Sequence, residues 1–215
     1  MIMSHPKPRR RKAGFSQDES GSTLVEFAIV MPIFLLIFLG LIDFGRLGFE
    51  YVMANKAMQL AARIAVARPP ACDPVPAGFS TNARGTGGIG KTYGTNCRAE
   101  ANICAVKPTL TCEGNVANAT VAEIWTTLSP LMPAGSQASN LRFEYRYTSE
   151  LGFLGGPYVP MVTVEIQNLS FQFIMPLGQL GALAGSTGTA PPGTLPFPPL
   201  SVTLPAEDLA LGEAG

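Results

Sequence analysis

From Leu24 to Ile42 a single residue, Glu26, interrupts an otherwise apolar sequence. The hydrocarbon core of a bilayer is about 30 Å thick and takes roughly 20 helical residues to cross, so this stretch is just long enough to span it. A secretory signal peptide is the competing reading. It is disfavoured because no small-residue cleavage site follows the apolar run, which leads instead into Asp43-Phe44-Gly45-Arg46. Most of the strong apolar signal is concentrated between Phe27 and Ile42, so the 215 residues read as one anchored domain.

The flanks of the run predict its orientation. Lys7, Arg9, Arg10, Arg11 and Lys12 precede it, against only Asp18 and Glu19. They lie within about 15 residues of the span, the range over which basic residues hold a flank in the cytoplasm. A basic arm for nucleic acid is the alternative. The whole chain has no field to support it, since Lys+Arg and Asp+Glu both number 15, and no nucleic-acid partner is expected. Residues 1 to 20 are polar, basic and without period, and read as a disordered leader.

All four cysteines, Cys72, Cys97, Cys104 and Cys112, follow the span. With the N-terminus inside, they lie in an oxidising compartment, where an even number reads as two disulfides. Four cysteines allow three connectivities, and the sequence does not choose among them. A zinc site is disfavoured because no C-x-x-C occurs and the one histidine, His5, lies on the other side of the membrane. Neither a metal nor another cofactor is expected.

Residues 47 to 66 contain no proline and are rich in good helix formers, so the helix is expected to continue past the membrane until Pro69 and Pro70 stop it. Ser22 to Ala67 would span about 70 Å at 1.5 Å per residue. Pro32 should loosen or kink it locally. In the outer half, Met53, Ala57, Leu60, Ala61 and Ile64 recur at spacings of three and four, with Asn55, Lys56, Gln59 and Arg63 largely opposite. This stripe suits either docking of the chain's own globular part or packing against neighbouring subunits.

Residues 68 to 117 are dense in Gly and Pro and can bury little apolar surface, so the cysteines are expected to constrain them. Gly85 to Gly90 lacks the upstream strand and spacing of a phosphate loop and reads as an ordinary flexible loop. Val121 to Leu131 reads as a short helix. Leu141 to Thr148, Val159 to Ile174 and Leu200 to Leu204 alternate apolar and polar residues, which implies a twisted antiparallel sheet packed on the helix's outer half. Gly185 to Pro199 reads as a long connection. The expected fold class is α+β. Residues 1–21 form a leader, 22–67 a transmembrane and extended helix, and 68–215 a disulfide-containing domain outside the membrane.

The residues Gly21-Ser22-Thr23-Leu24-Val25-Glu26-Phe27 stand directly ahead of the apolar core. Together with Ala28 to Pro32, Leu41-Ile42-Asp43-Phe44-Gly45-Arg46 and Gln59-Leu60-Ala61-Ala62-Arg63, they give the chain a resemblance to the TadE-like family of type IVc pilus pseudopilins. The resemblance covers roughly a fifth of the chain and is specific only in combination. It implies cutting between Gly21 and Ser22 by a prepilin peptidase, at the cytoplasmic face of a bacterial inner membrane. A glycine suits a narrow protease cleft because it has no side chain.

Cutting would create an α-amino cation at Ser22, one helical turn from Glu26. A charged residue at mid-membrane costs about 2.5 to 3.5 kcal/mol on the insertion scale and less near an end, so the carboxylate calls for a partner. The resemblance implies that the partner is the amine of an adjacent subunit, which would set the register of assembly at Glu26 and Phe27. Otherwise Glu26 sits among headgroups and needs none. At the other end Asp43, Arg46 and Glu50 share one helical face and can form exposed pairs worth tenths of a kcal/mol, either as interface anchors or as subunit contacts.

The expected role is therefore a minor pilin-like subunit, periplasmic beyond its anchor, handled by other pilin-like subunits and a Tad assembly platform. A chain this long is not expected to be a major Flp pilin. The alternative is a membrane-anchored binding or adhesin module. An anchored enzyme fares worse, because without a histidine after His5 the usual Ser-His and Cys-His nucleophile arrangements are absent outside the membrane.

Overall fold

A computed structural model of the chain describes residues 21–76, 79–174, 194–207 and 209. The leader expected over residues 1–20, with its five basic residues, lies outside the described residues. So does most of the connection expected over 185–199.

The helix α1 runs Ser22–Ala67, 46 residues with Pro32 inside it. The sequence contains nothing to stop it until Arg68 turns extended ahead of Pro69 and Pro70. Its two halves have different surroundings. From Leu24 to Leu41 nearly all the large side chains are uncovered, with Leu24 71% and Ile29 61% exposed. From Ala54 onward one face is fully buried.

That face is made of Ala54, Ala57, Met58, Ala61, Ala62 and Ala65, nearly all alanines, which let a helix lie close against a sheet. The expected stripe is thus correct at Ala57 and Ala61 and displaced elsewhere. Leu60 is 39% exposed and Met53 and Ile64 are only half-buried. Ranking positions by side-chain size picks the large residues beside the seam, whereas close approach selects the small ones in it. Of the two uses considered for the stripe, it docks the chain's own globular part.

That part is a four-stranded antiparallel sheet in the order β1-β2-β3-β6, built from β1 (Leu110–Glu113), β2 (Leu141–Arg146), β3 (Met161–Ile166) and β6 (Leu200–Pro205). Alternation does what period two requires. Leu141, Phe143 and Tyr145 of β2 stand opposite Ile166, Val164 and Val162 of β3, and all six are buried toward α1. The other face carries Arg142 paired to Glu165 at 3.0 Å and the Thr163–Thr203 hydroxyl pair at 2.8 Å.

A short helix, α2 (Ala119–Leu128), closes the core with Val121, Ile124 and Leu128. The Asn118 side-chain oxygen caps it by accepting the amides of Thr120 and Val121. The helix ends earlier than the expected Leu131, in a 3-10 turn at Ser129–Leu131, because Pro130 has no amide to continue the ladder.

The strand expected from Val159 to Ile174 is two. β3 ends at Ile166, Asn168 takes a left-handed backbone (φ 55°), and β4 (Ser170–Gln172) leaves in a new direction. It pairs with β5 (Thr194–Pro196) in a separate two-stranded ribbon, inside what the sequence presents as a plain connection.

Candidate functional site

The functional signal in the sequence converges on α1, which the structure divides into three stations. At the start, Gly21 precedes the helix with φ −85° and ψ −22°. Among the described residues a Cβ built on it would meet nothing within 4 Å. Neither its backbone conformation nor those residues require glycine here. Ser22 and Glu26 are one turn apart, and the Ser22 hydroxyl donates to Glu26 Oε1 at 3.3 Å. Phe27 beside them is 60% exposed.

The second station is the uncovered apolar segment. Among the described residues α1 is the one helix long and apolar enough to cross a membrane, and almost none of its apolar stretch is covered by the rest of the chain. The core helix of a soluble protein would be mostly covered. The length, composition and exposure of this one suggest membrane anchoring.

At the third station the structure corrects the sequence reading. Asp43, Arg46 and Glu50 do come together, with Arg46 Nη1 3.3 Å from Asp43 Oδ1 and Nη2 3.4 Å from Glu50 Oε1. They are not an exposed chain of pairs, because Asp43 is buried, at 1% exposure. Its Oδ1 also accepts the backbone N–H of Ile174 at 3.1 Å, and the Arg46 guanidinium lies 5.2 Å from the centre of the Phe171 ring. A carboxylate removed from water needs donors, and here a guanidinium and an amide supply them. The cluster ties the β4 end of the ribbon to the helix.

Beyond α1 the four cysteines form two disulfides. Cys72–Cys112 joins the turn after α1 to β1 and lies in the main core. Cys97–Cys104 closes a distal loop whose small core holds Ile103 and Leu154 besides the two cysteines. The glycine-rich stretch expected to be an ordinary flexible loop packs against that loop through a 3-10 turn, Thr86–Gly88. A Cβ on Gly87 would sit 2.0 Å from the Ala101 carbonyl oxygen and one on Gly85 2.2 Å from that of Asn102, so these glycines permit backbone contact. Among the described residues no three His, Cys, Asp or Glu side chains gather as a metal site would require.

Two tyrosines invisible as a pair in the sequence brace this domain. The Ala71 amide, next to Cys72, donates to the Tyr145 hydroxyl oxygen at 2.8 Å. Burial pushes the Tyr145 phenol up to about 12, against the opposing effect of that hydrogen bond. Burial, reinforced by Tyr147, likewise raises Tyr158 to about 12. The Lys107 ammonium lies 5.2 Å from the centre of the Tyr158 ring, and partial burial lowers its pKa. Alternation identified Tyr145 as core, but nothing local pointed to Ala71.

An uncovered apolar helix that begins at a glycine and carries a carboxylate one turn in has a counterpart among known families. Residues 21–63 match the family model of TadE-like proteins. The TadE-like segment thus begins at Gly21 and takes in Glu26, the span, the Asp43–Arg46–Glu50 cluster and most of the buried alanine face. It stops before the domain. The match suggests involvement in the Tad pilus system. No curated protein and no solved structure matches the chain.

Proposed function

We propose that this chain is a minor pilin-like subunit for assembly of an adhesive type IVc (Flp/Tad) pilus. In this reading a prepilin peptidase cuts between Gly21 and Ser22, and the leader is cytoplasmic while the sheet domain faces the periplasm. Inner-membrane assembly machinery and other pilin-like subunits are the partners, and the role is structural, not catalytic.

The observation that carries the reading is at Gly21. The TadE-like match starts there, yet the described residues make no demand for glycine at that position. A requirement from outside the fold, such as a protease cleft with no room for a side chain, accounts for the choice. Cutting would leave the Ser22 amine one turn from Glu26, whose carboxylate is on an otherwise apolar and uncovered stretch. Pairing that carboxylate with the Ser22 amine of a neighbour would offset the cost of holding it in the membrane and fix the axial register of two subunits.

Intact-mass and N-terminal sequencing of the protein from cells that possess the peptidase test the proposal. The expected mature N-terminus is Ser22, and Gly21→Leu should leave the full-length chain. Full-length wild-type protein in such cells would sink it.

One observation favours a second reading, a membrane-anchored binding or adhesin module. The disulfide-braced distal loops leave Ile89 81% and Tyr93 75% exposed. A chain that is never cut at Gly21 yet retains surface binding would support that reading instead.

A further inference from the structure

The end of the globular domain nearest the span is apolar as well. Ile174, at the lower end of the ribbon, is 69% exposed, and Phe44 on α1 is 61% exposed. Phe173 stands beside Phe44 with its ring edge-on, 6.2 Å between centroids.

The level of these side chains relative to the bilayer follows from two observations. Leu24 to Ile42 rises about 28 Å as an α-helix, which matches a hydrocarbon core of about 30 Å, so residues 43 and 44 emerge at its outer boundary. The Ile174 amide is held 3.1 Å from Asp43 Oδ1 and is therefore at the same level, although it belongs to the domain. We propose that Phe44, Phe173 and Ile174 form a foot by which the globular domain docks into the interfacial layer of the adjacent bilayer leaflet.

The bilayer is the occupant because the foot is continuous with the uncovered apolar surface of α1, which the same bilayer covers. Aromatic and aliphatic side chains are favoured at that depth, where rings lie among headgroups and acyl-chain ends. Arg46 and Glu50, further along α1 than Asp43, sit above the foot, with Arg46 36% exposed at its side chain. That order, apolar below and charged above, suits an interface. Such docking fixes the depth and tilt of the domain, which a lone helix leaves to neighbours. The inference rests on the membrane-anchored reading of α1.

Depth-dependent fluorescence quenching tests it, with the full chain reconstituted in phosphatidylcholine vesicles carrying a spin label either near the headgroup or deep in the acyl chain. The native Trp125 sets the background, and single tryptophans are added as Ile174→Trp, Phe44→Trp, Ile37→Trp in the span and Phe153→Trp on the segment that bridges to Asn96 beside the distal loop. Ile174→Trp and Phe44→Trp should each be quenched at least twofold more by the shallow label than by the deep one. Ile37→Trp should show the reverse, and Phe153→Trp no quenching by either label. Two reporters on different elements guard against local misfolding of either. If Ile37→Trp is quenched while Ile174→Trp and Phe44→Trp behave like Phe153→Trp, the foot is refuted and the anchor stands. If Ile37→Trp is not quenched, the anchor itself is wrong and the foot goes with it. Blue-shifted foot emission without lipid quenching would mean that a second copy covers the surface, and would also overturn the proposal.

Discussion

The Asp43 carboxylate accepts a hydrogen bond from the backbone N–H of Ile174, 3.1 Å away and 131 residues further along the chain. It joins α1, just past its uncovered apolar stretch, to the ribbon of the globular domain.

Removing the acceptor should loosen that joint. Asp43→Ala leaves the part-buried Ile174 amide and one side of the Arg46 guanidinium without an acceptor, and is expected to cost about 1 kcal/mol. Asp43→Asn keeps an oxygen for the amide and loses only the charge, so it should cost less. Denaturant unfolding of the full chain in detergent ranks the two. Equal, near-zero effects would show that the joint contributes nothing.

The two disulfides should differ in weight. Cys72–Cys112 closes a separation of 40 residues and Cys97–Cys104 one of 7. In the chain-entropy model these correspond to about 4 and about 2.5 kcal/mol. The first also lies in the main core, so its double alanine variant should unfold the domain as a whole. The second should free only the distal loop, seen as faster amide exchange around Ile103 and Leu154 with the sheet still protected.

Alkaline pH should destabilise the domain. Tyr145 and Tyr158 have folded pKa values raised from 10.0 to about 12. Below pH 10 both phenols are neutral folded and unfolded, and no stability is lost. Between 10 and 12 the unfolded chain ionises first, so stability falls as pH rises through that window. Tyr145→Phe should flatten part of the fall but cost about 1 kcal/mol at neutral pH, through the lost Ala71 hydrogen bond. Tyr158→Phe should flatten its own part at no neutral-pH cost, since its buried hydroxyl has no hydrogen-bond partner among the described residues. Melting curves from pH 7 to 12 for the three proteins decide this.

The parts legible in the sequence were those whose causes are local. Helix α1 follows from an unbroken run of helix formers ended by Pro69-Pro70, and β2, β3 and β6 follow from alternation over six residues each. Strand β1 has four residues in a segment dominated by glycine and proline, and β4 and β5 have three each, too few for a period to register. Pairing across the fold made them strands. Asp43 reads as exposed because its amide donor comes from a distant segment, and the roles of Gly85 and Gly87 depend on carbonyls of a loop about 15 residues away. The disulfide connectivity was one of three until the fold brought Cys72 beside β1.

The last expectation concerns Glu26 and separates anchoring from assembly by sign. If the carboxylate exists to pair with the Ser22 amine of a neighbour, Glu26→Ala removes an unfavourable charge from the apolar helix and should leave membrane insertion unharmed or improved. Assembly should fail nonetheless. A residue kept for anchoring would do the opposite, since its loss would weaken the anchored monomer first. The Ser22 hydroxyl, 3.3 Å from Glu26 Oε1, is too exposed to account for the carboxylate by itself. Glu26→Gln retains shape and hydrogen bonding without charge, so it should resemble Glu26→Ala if attraction to an amine matters and wild type if polarity suffices. Membrane-fraction abundance measured beside crosslinked complexes or surface pili gives both readouts for each variant. Normal assembly with Glu26→Ala would make the carboxylate a bystander and leave the pilin-like reading to rest on cleavage at Gly21.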